Sequence, residues 1–119
     1  MTVEKVRNYC LKKKGVTEGF PFNETTLVFK VMGKMFCLMG LEPPQTVNLK
    51  CDPELAVELR EKYEGVTPGY HMNKMYWNTI DLNANIRENE IQKWIDQSYN
   101  LIVDSLSKKL KAEFEKMQT

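Results

Sequence analysis

The chain has 119 residues, of which 42% are apolar and 28% charged, and its formal net charge is +1. That length and apolar fraction give a single domain over residues 1–119 with a core of its own and exclude a disordered chain. The near-neutral balance excludes a global polycation.

The charge is nonetheless uneven. Residues 1–50 carry a net of +4, residues 51–104 a net of −5 and residues 105–119 a net of +2, so both ends are basic and the middle is acidic. The three cysteines, Cys10, Cys37 and Cys51, match no disulfide framework and no C-x-x-C site. With no signal-peptide pattern at the start, they point to a reducing cytoplasm. No apolar run approaches the ~18 residues of a membrane span, so no membrane partner is expected.

Residues 2–14 read as a helix. Thr2 caps it, Val3, Val6 and Cys10 recur at helical spacing, and Gly15 stops it. Lys12, Lys13 and Lys14 suit its last turn as a solvated end, with a phosphate-contacting patch as the alternative. In the next stretch, GVTEGFPF, Phe20-Pro21-Phe22 is a rigid apolar clip expected to plug one end of the core, with exposed aromatics that bind a partner as the alternative.

Residues 25–32 and 35–41 read as a hairpin around Gly33-Lys34, a loop that fits a type II′ turn. That turn pairs Val31 with Phe36, Phe29 with Leu38 and Leu27 with Gly40 on an apolar, core-facing side. The opposite side then carries Val28, Lys30, Met32, Met35, Cys37 and Met39. Flexible methionines on a half-apolar face mark an adaptable contact surface, unless a helix or a twin subunit covers it.

Glu42-Pro43-Pro44-Gln45 breaks the chain. Thr46 to Cys51 alternates, with Val47, Leu49 and Cys51 inward and Asn48 and Lys50 on the face shared with Lys30. Asp52-Pro53 opens a helix with a capping carboxylate and a proline at its first position, and Gly65 ends it. Thr67-Pro68-Gly69 reads as a turn, Tyr70 to Met72 as a short strand, Asn73-Lys74 as a turn and Tyr76 to Leu82 as a strand, together a second hairpin. Asn85 and Glu88 have capping-box spacing, so the last helix is placed from Ile86 to about Ser107. Its apolar stripe is Ile91, Ile95, Tyr99, Ile102 and Leu106, and residues 108–119 either extend it or fray.

No catalytic constellation stands out. His71 is the only histidine, the cysteines are scattered, and no P-loop or G-x-G-x-x-G is present. The reading is therefore non-enzymatic, without metal or cofactor. The densest chemistry lies in VTPGYHMNKMYWNTIDL, residues 66–82. Asparagine can read adenine edges, lysine can meet phosphates and rings can stack on bases. The plainer alternative makes Trp77 and Tyr70 core residues and has His71 and Asn78 satisfy backbone groups at a hairpin corner.

The stretches GVTEGFPF, TLVFKVMGKMF, VNLKCDPELAVELREKY, GVTPGYHMNKMYWNTIDL and IDQSYNLIV, in this order, resemble the MmcQ/YjbR family of small bacterial proteins over nearly the full length. YHMNK…WNT is the most specific of them. Family members usually continue YHMNK with Lys-His-Trp, whereas Met75 and Tyr76 stand in those first two places here.

The resemblance implies an α+β fold: a two-layer α/β sandwich, α-βββ-α-ββ-α, with one antiparallel sheet and helices on one face. It also implies DNA binding through two hairpins that look like paired wings. The fold further resembles secretion-chaperone-like domains, which bind protein segments. The candidate nucleic-acid contacts are Lys30, Lys34, Lys50, His71, Asn73, Lys74, Tyr76 and Asn78, supported by Lys12 to Lys14. The protein-interaction or self-association alternative uses Met32, Met35, Cys37 and Met39. A third alternative is a small-ligand pocket around His71 and Trp77.

Overall fold

A computed structural model describes residues 1–69 and 72–117. Helix α1 (Val3–Leu11) begins as its sequence dictates, with the Lys5 amide donating to the Thr2 hydroxyl at 3.2 Å. Strands β1 (Val16–Gly19), β2 (Thr26–Val31), β3 (Lys34–Gly40) and β4 (Thr46–Lys50) follow. Then come helix α2 (Pro53–Lys62), strands β5 (Val66–Pro68) and β6 (Trp77–Asp81), and helices α3 (Glu88–Asp104) and α4 (Lys108–Lys116). The strands form one six-stranded antiparallel sheet in the order β1-β2-β3-β4-β6-β5. The fold is α+β.

One face of the sheet meets the helices. Leu27, Phe29, Val31, Phe36, Cys37, Met39, Val47, Leu49 and Ile80 pack there against Val6, Cys10, Ala56, Ile91, Ile95 and Ile102. The stripe expected of the last helix is buried in full, including Tyr99 in α3 and Leu106 just beyond its end. Edge-to-face contacts of Phe36 with Tyr99 and of Tyr63 with Trp94, both at 5.3 Å between ring centres, lock the layers together.

The β2–β3 register differs from the expected one. Met32 and Gly33 have φ of 50° and 81°, so they, not Gly33-Lys34, form the two-residue loop. Two successive positive φ values are the mark of a type I′ turn. Val31 therefore pairs with Lys34 and Lys30 with Met35. A bulge then intervenes, after which Phe29 pairs with Cys37, Val28 with Leu38 and Leu27 with Met39. The earlier turn shifts the pairing by two residues and leaves Phe36 facing the core, whereas the bulge adds one residue and turns over everything after it. Cys37 and Met39 are consequently fully buried in the core, and Leu38 faces the other way.

Next to the bulge, one position beyond the Cys37–Leu49 pair, Ser98 of α3 bridges β3 and β4. Its hydroxyl donates to the Phe36 carbonyl at 2.5 Å and accepts from the Lys50 amide at 2.9 Å.

Other elements also depart from expectation. β1 was expected as a connection; it has no alternating pattern and exists by pairing Val16 to Gly19 with Val31 to Val28. The expected turn at Thr67-Pro68 is edge strand β5, where proline's missing donor faces no neighbour. The expected strand at residues 70–72 falls largely on Tyr70 and His71, which lie outside the described residues. Helix α3 starts at Glu88 with no side-chain cap, so the Asn85–Glu88 box does not form. Ser107 caps a separate helix α4, whose Phe114 lies 6.4 Å from the Tyr99 ring.

Replacing Ser98 with alanine strands a buried carbonyl and a buried amide, a loss of about 1–3 kcal/mol. The expected result is a thermal midpoint lowered by about 4–10 °C. An unchanged midpoint in differential scanning calorimetry would show that the bulge does not depend on this hydroxyl.

Candidate nucleic-acid interface

Antiparallel pairing brings the end of β2, the start of β3, the end of β4 and the start of β6 to one end of the sheet. Lys34 stands at the β2–β3 turn and Lys74 in the β5–β6 loop, so the two hairpin tips share that end. They are about 14 Å apart at roughly 4.8 Å per strand. Lys30 pairs with Met35 and Lys50 with Trp77, next to the tips. The Lys50 ammonium lies 5.9 Å from the centre of the exposed Tyr76 ring, within cation–π range. Among the described residues none of these four lysines is in an ion pair. The acids of α2, Glu54, Glu58 and Glu61, are exposed on the helical layer instead.

The β5–β6 loop is held from within and from behind. The Asn73 side chain accepts from the Met75 amide at 2.9 Å, and its carbonyl accepts from the Trp77 amide at 3.0 Å. Asn73 thus shapes the loop through its side-chain oxygen. Arg60 of α2 reaches through: its Nε donates to Asn78 Oδ1 at 2.7 Å, and its Nη2 donates to the carbonyls of Lys74 and Trp77. Asn78 Nδ2 donates to the Ala56 carbonyl at 3.3 Å. Asn78 is therefore buried with both ends of its amide engaged, which removes it from the expected contact set. Gly69 crosses Trp77 so closely that an added Cβ would lie 2.7 Å from the Trp77 Cβ. His71 lies outside the described residues.

The sheet face away from the helices is not the expected methionine surface. Cys37 and Met39 are in the core, and Met32 packs partly against it. Val28, Leu38 and Trp77 form a second buried cluster there, with Met35 and Met72 packed on it. Burying such side chains contributes about 1.5–3 kcal/mol each. Trp77 is a structural member of this cluster and not a free stacking ring.

Phe20 and Phe22 belong to neither cluster and are 51% and 62% exposed, so the clip does not plug the core. Both rings edge cavities on this open face. One, of about 430 Å³, is lined by Phe22, Leu38, Asn48 and Met72 among others. A second, of about 350 Å³, lies between Phe20 and Lys30.

Of the supporting lysines that follow α1, Lys12 is exposed and the other two are spent on packing. Lys13 pairs with Asp96 beside the Tyr9 hydroxyl, and Lys14 lies over the Phe114 ring at 4.6 Å. Burial, followed by the bond to Asp96, pushes the Tyr9 phenol up to about 12. Burial likewise pushes the Cys51 thiol up to about 11 and the Cys37 thiol well above its usual range. Burial thus disfavours the thiolate, the form that acts as a nucleophile. No three potential metal ligands cluster among the described residues.

A sequence profile of the YjbR family matches residues 11–101. The chain belongs to the YjbR family. YyaQ of Bacillus subtilis (strain 168), an uncharacterized protein, is 39% identical over 116 residues, covering 85% of this chain and 98% of its own. YbdF of Escherichia coli O157:H7, also uncharacterized, is 35% identical over 107 residues, covering 89% and 88%. The crystal structure of Deinococcus radiodurans DR2400 superposes with a TM-score of 0.90 at 32% identity, covering 96% of this chain and 88% of that one. Met75 and Tyr76 are 60% and 40% exposed, so both lie on the surface of the loop.

Sequence reasoning missed Arg60. Its only signal was a guanidinium on the face of an acidic helix that also buries Ala56 and Leu59. Arg60→Ala leaves Asn78 Oδ1 buried without a donor and releases the Lys74 carbonyl. Stability is expected to fall by about 1–3 kcal/mol. Amide exchange of residues 73–77 is expected to accelerate more than that of α3, and equal acceleration in both places would refute the strap.

Proposed function

We propose that this protein binds nucleic acid, without catalysis, through the lysine-bearing end of its sheet and the adjoining open face. One observation carries the reading. Lys30, Lys34, Lys50 and Lys74 converge from two hairpins and one strand, free of ion pairs among the described residues, with the Tyr76 ring beside Lys50. Folding has brought separate cations together and left their charge uncompensated, which is the electrostatic footprint of a phosphate surface. The resemblance to DNA-binding double wings points the same way. DNA is the partner to test first. Three free, buried cysteines suit a reducing cytoplasm.

A protein segment on the same face is the second reading. It is favoured by the exposed Phe20, Phe22 and Met75 at the rim.

Fluorescence anisotropy with labelled mixed-sequence DNA at several salt concentrations separates the two. Four phosphate contacts predict a log–log salt slope of about −3 on a single strand and about −3.6 on a duplex. Lys34→Glu with Lys74→Glu is expected to weaken binding at least about tenfold, since each reversal replaces an attraction with a repulsion. No binding at low salt, or affinity indifferent to both salt and the reversals, would overturn the nucleic-acid reading.

A further inference from the structure

The cavity of about 430 Å³ on the open face is a built slot, and we infer that it receives one nucleobase-class heterocycle: a flat, uncharged ring with hydrogen-bonding edges. Its floor is Leu38 and Gly40, and glycine leaves the space that any side chain at position 40 would fill. Phe22 and Met72 flank it from loops that leave opposite ends of the sheet. An aromatic ring and a thioether are both polarisable surfaces suited to a π-face.

Among the described residues the rim is polar and carries no charged side chain, which suits a neutral group. Its valences are set in advance. The Thr79 hydroxyl donates to Asn48 Oδ1, which fixes that amide and leaves Nδ2 to donate. Asn23 Oδ1 accepts from the amides of Thr25 and Thr26 at 2.9 and 2.8 Å, leaving its Nδ2 likewise. Among the described residues neither Nδ2 has a protein partner. Two oriented amide donors beside the Thr26 and Thr46 hydroxyls match the ring nitrogens and carbonyls of a base. A purely aliphatic ligand would leave all of them unmet.

Lys50 follows Asn48 on the same face, about 7 Å along the strand. A base in the slot therefore puts its phosphate within a lysine's reach, and an unstacked base of a single strand fits better than one held in a duplex. The strand-borne form of the inference rests on the nucleic-acid reading above, whereas the slot for the ring does not.

The test uses anisotropy with three labelled probes of about ten nucleotides per strand: a single strand and an abasic single strand of equal charge, and a duplex with twice that charge. Unlabelled adenosine and cytidine are titrated separately, with Trp77 emission as readout, because Trp77 packs with Leu38 and Met72. The single strand is expected to bind at least about tenfold more tightly than the abasic strand, the order of one base–aromatic stack. Phe22→Ala, at an exposed position, should erase that preference. So should Gly40→Val, whose new Cβ comes nearest the Thr46 hydroxyl, at 3.2 Å, with the Thr46 backbone next at 3.9 Å. Lys34→Glu should weaken all three probes and keep it.

Equal affinity for the strand with and without bases, with no response to either nucleoside, overturns the slot while leaving the phosphate surface standing. Saturable nucleoside binding with no oligonucleotide binding overturns the phosphate surface and keeps the slot for a free nucleoside. A base preference unchanged in both Phe22→Ala and Gly40→Val places the base elsewhere and overturns the slot.

Discussion

The pairing of β2 with β3 is the constraint on which the rest of the molecule depends. The left-handed backbone of Met32 and Gly33 closes the hairpin one residue earlier than a Gly33-Lys34 loop would. The bulge at Phe36 then lets one strand satisfy two demands. Phe36 stays in the core under Tyr99, while Cys37 and Met39 join it and Leu38 turns to the open face. Beside the bulge, the Ser98 hydroxyl bridges the Phe36 carbonyl and the Lys50 amide of the neighbouring strand. A side chain of α3 therefore stabilises the register that decides what the opposite face of the sheet presents. With the other register the open face would be a methionine surface; with this one it is an apolar floor of Val28, Leu38 and Trp77, edged by lysines and amides.

A second link crosses the sheet at its far side. Arg60 leaves the helical layer to hold Asn78 and the carbonyls of the β5–β6 loop. The loop that carries Lys74 and Tyr76 is thereby positioned by a buried network and not by its own composition. Trp77 continues the link, with its backbone bonded to Gly69 and Arg60 and its ring packed over the open-face cluster. Rigid positioning of cations lowers the ordering entropy that binding must overcome, so helix and sheet both contribute to the surface.

Much of this was legible in the sequence, for identifiable reasons. The period of Ile91, Ile95, Tyr99 and Ile102, the alternation of Val47 and Leu49 and the Asp52-Pro53 start are local signals, and local physics produced them. Lys30, Lys34, Lys50 and Lys74 as surface cations were equally readable. What was not legible depends on partners distant in sequence. β1 and β5 are strands because β2 and β6 pair with them. The hairpin slip follows from a methionine at positive φ, a conformation its residue type does not advertise. The burial of Asn78 needs Arg60, 18 positions away. The slot needs two loops to meet over β3, which no window of sequence contains.

The open face as the binding surface is the central claim, and methyl NMR tests it most directly. Methionine methyl groups, isotopically labelled, report on both sides of the sheet at once: Met35 and Met72 on the open face, Met39 in the core. On titration with a single-stranded oligonucleotide, the account predicts shifts of Met35 and Met72 while Met39 stays in place. Movement of Met39 with Met35 and Met72 unmoved, or no methyl response at saturating ligand, would contradict it.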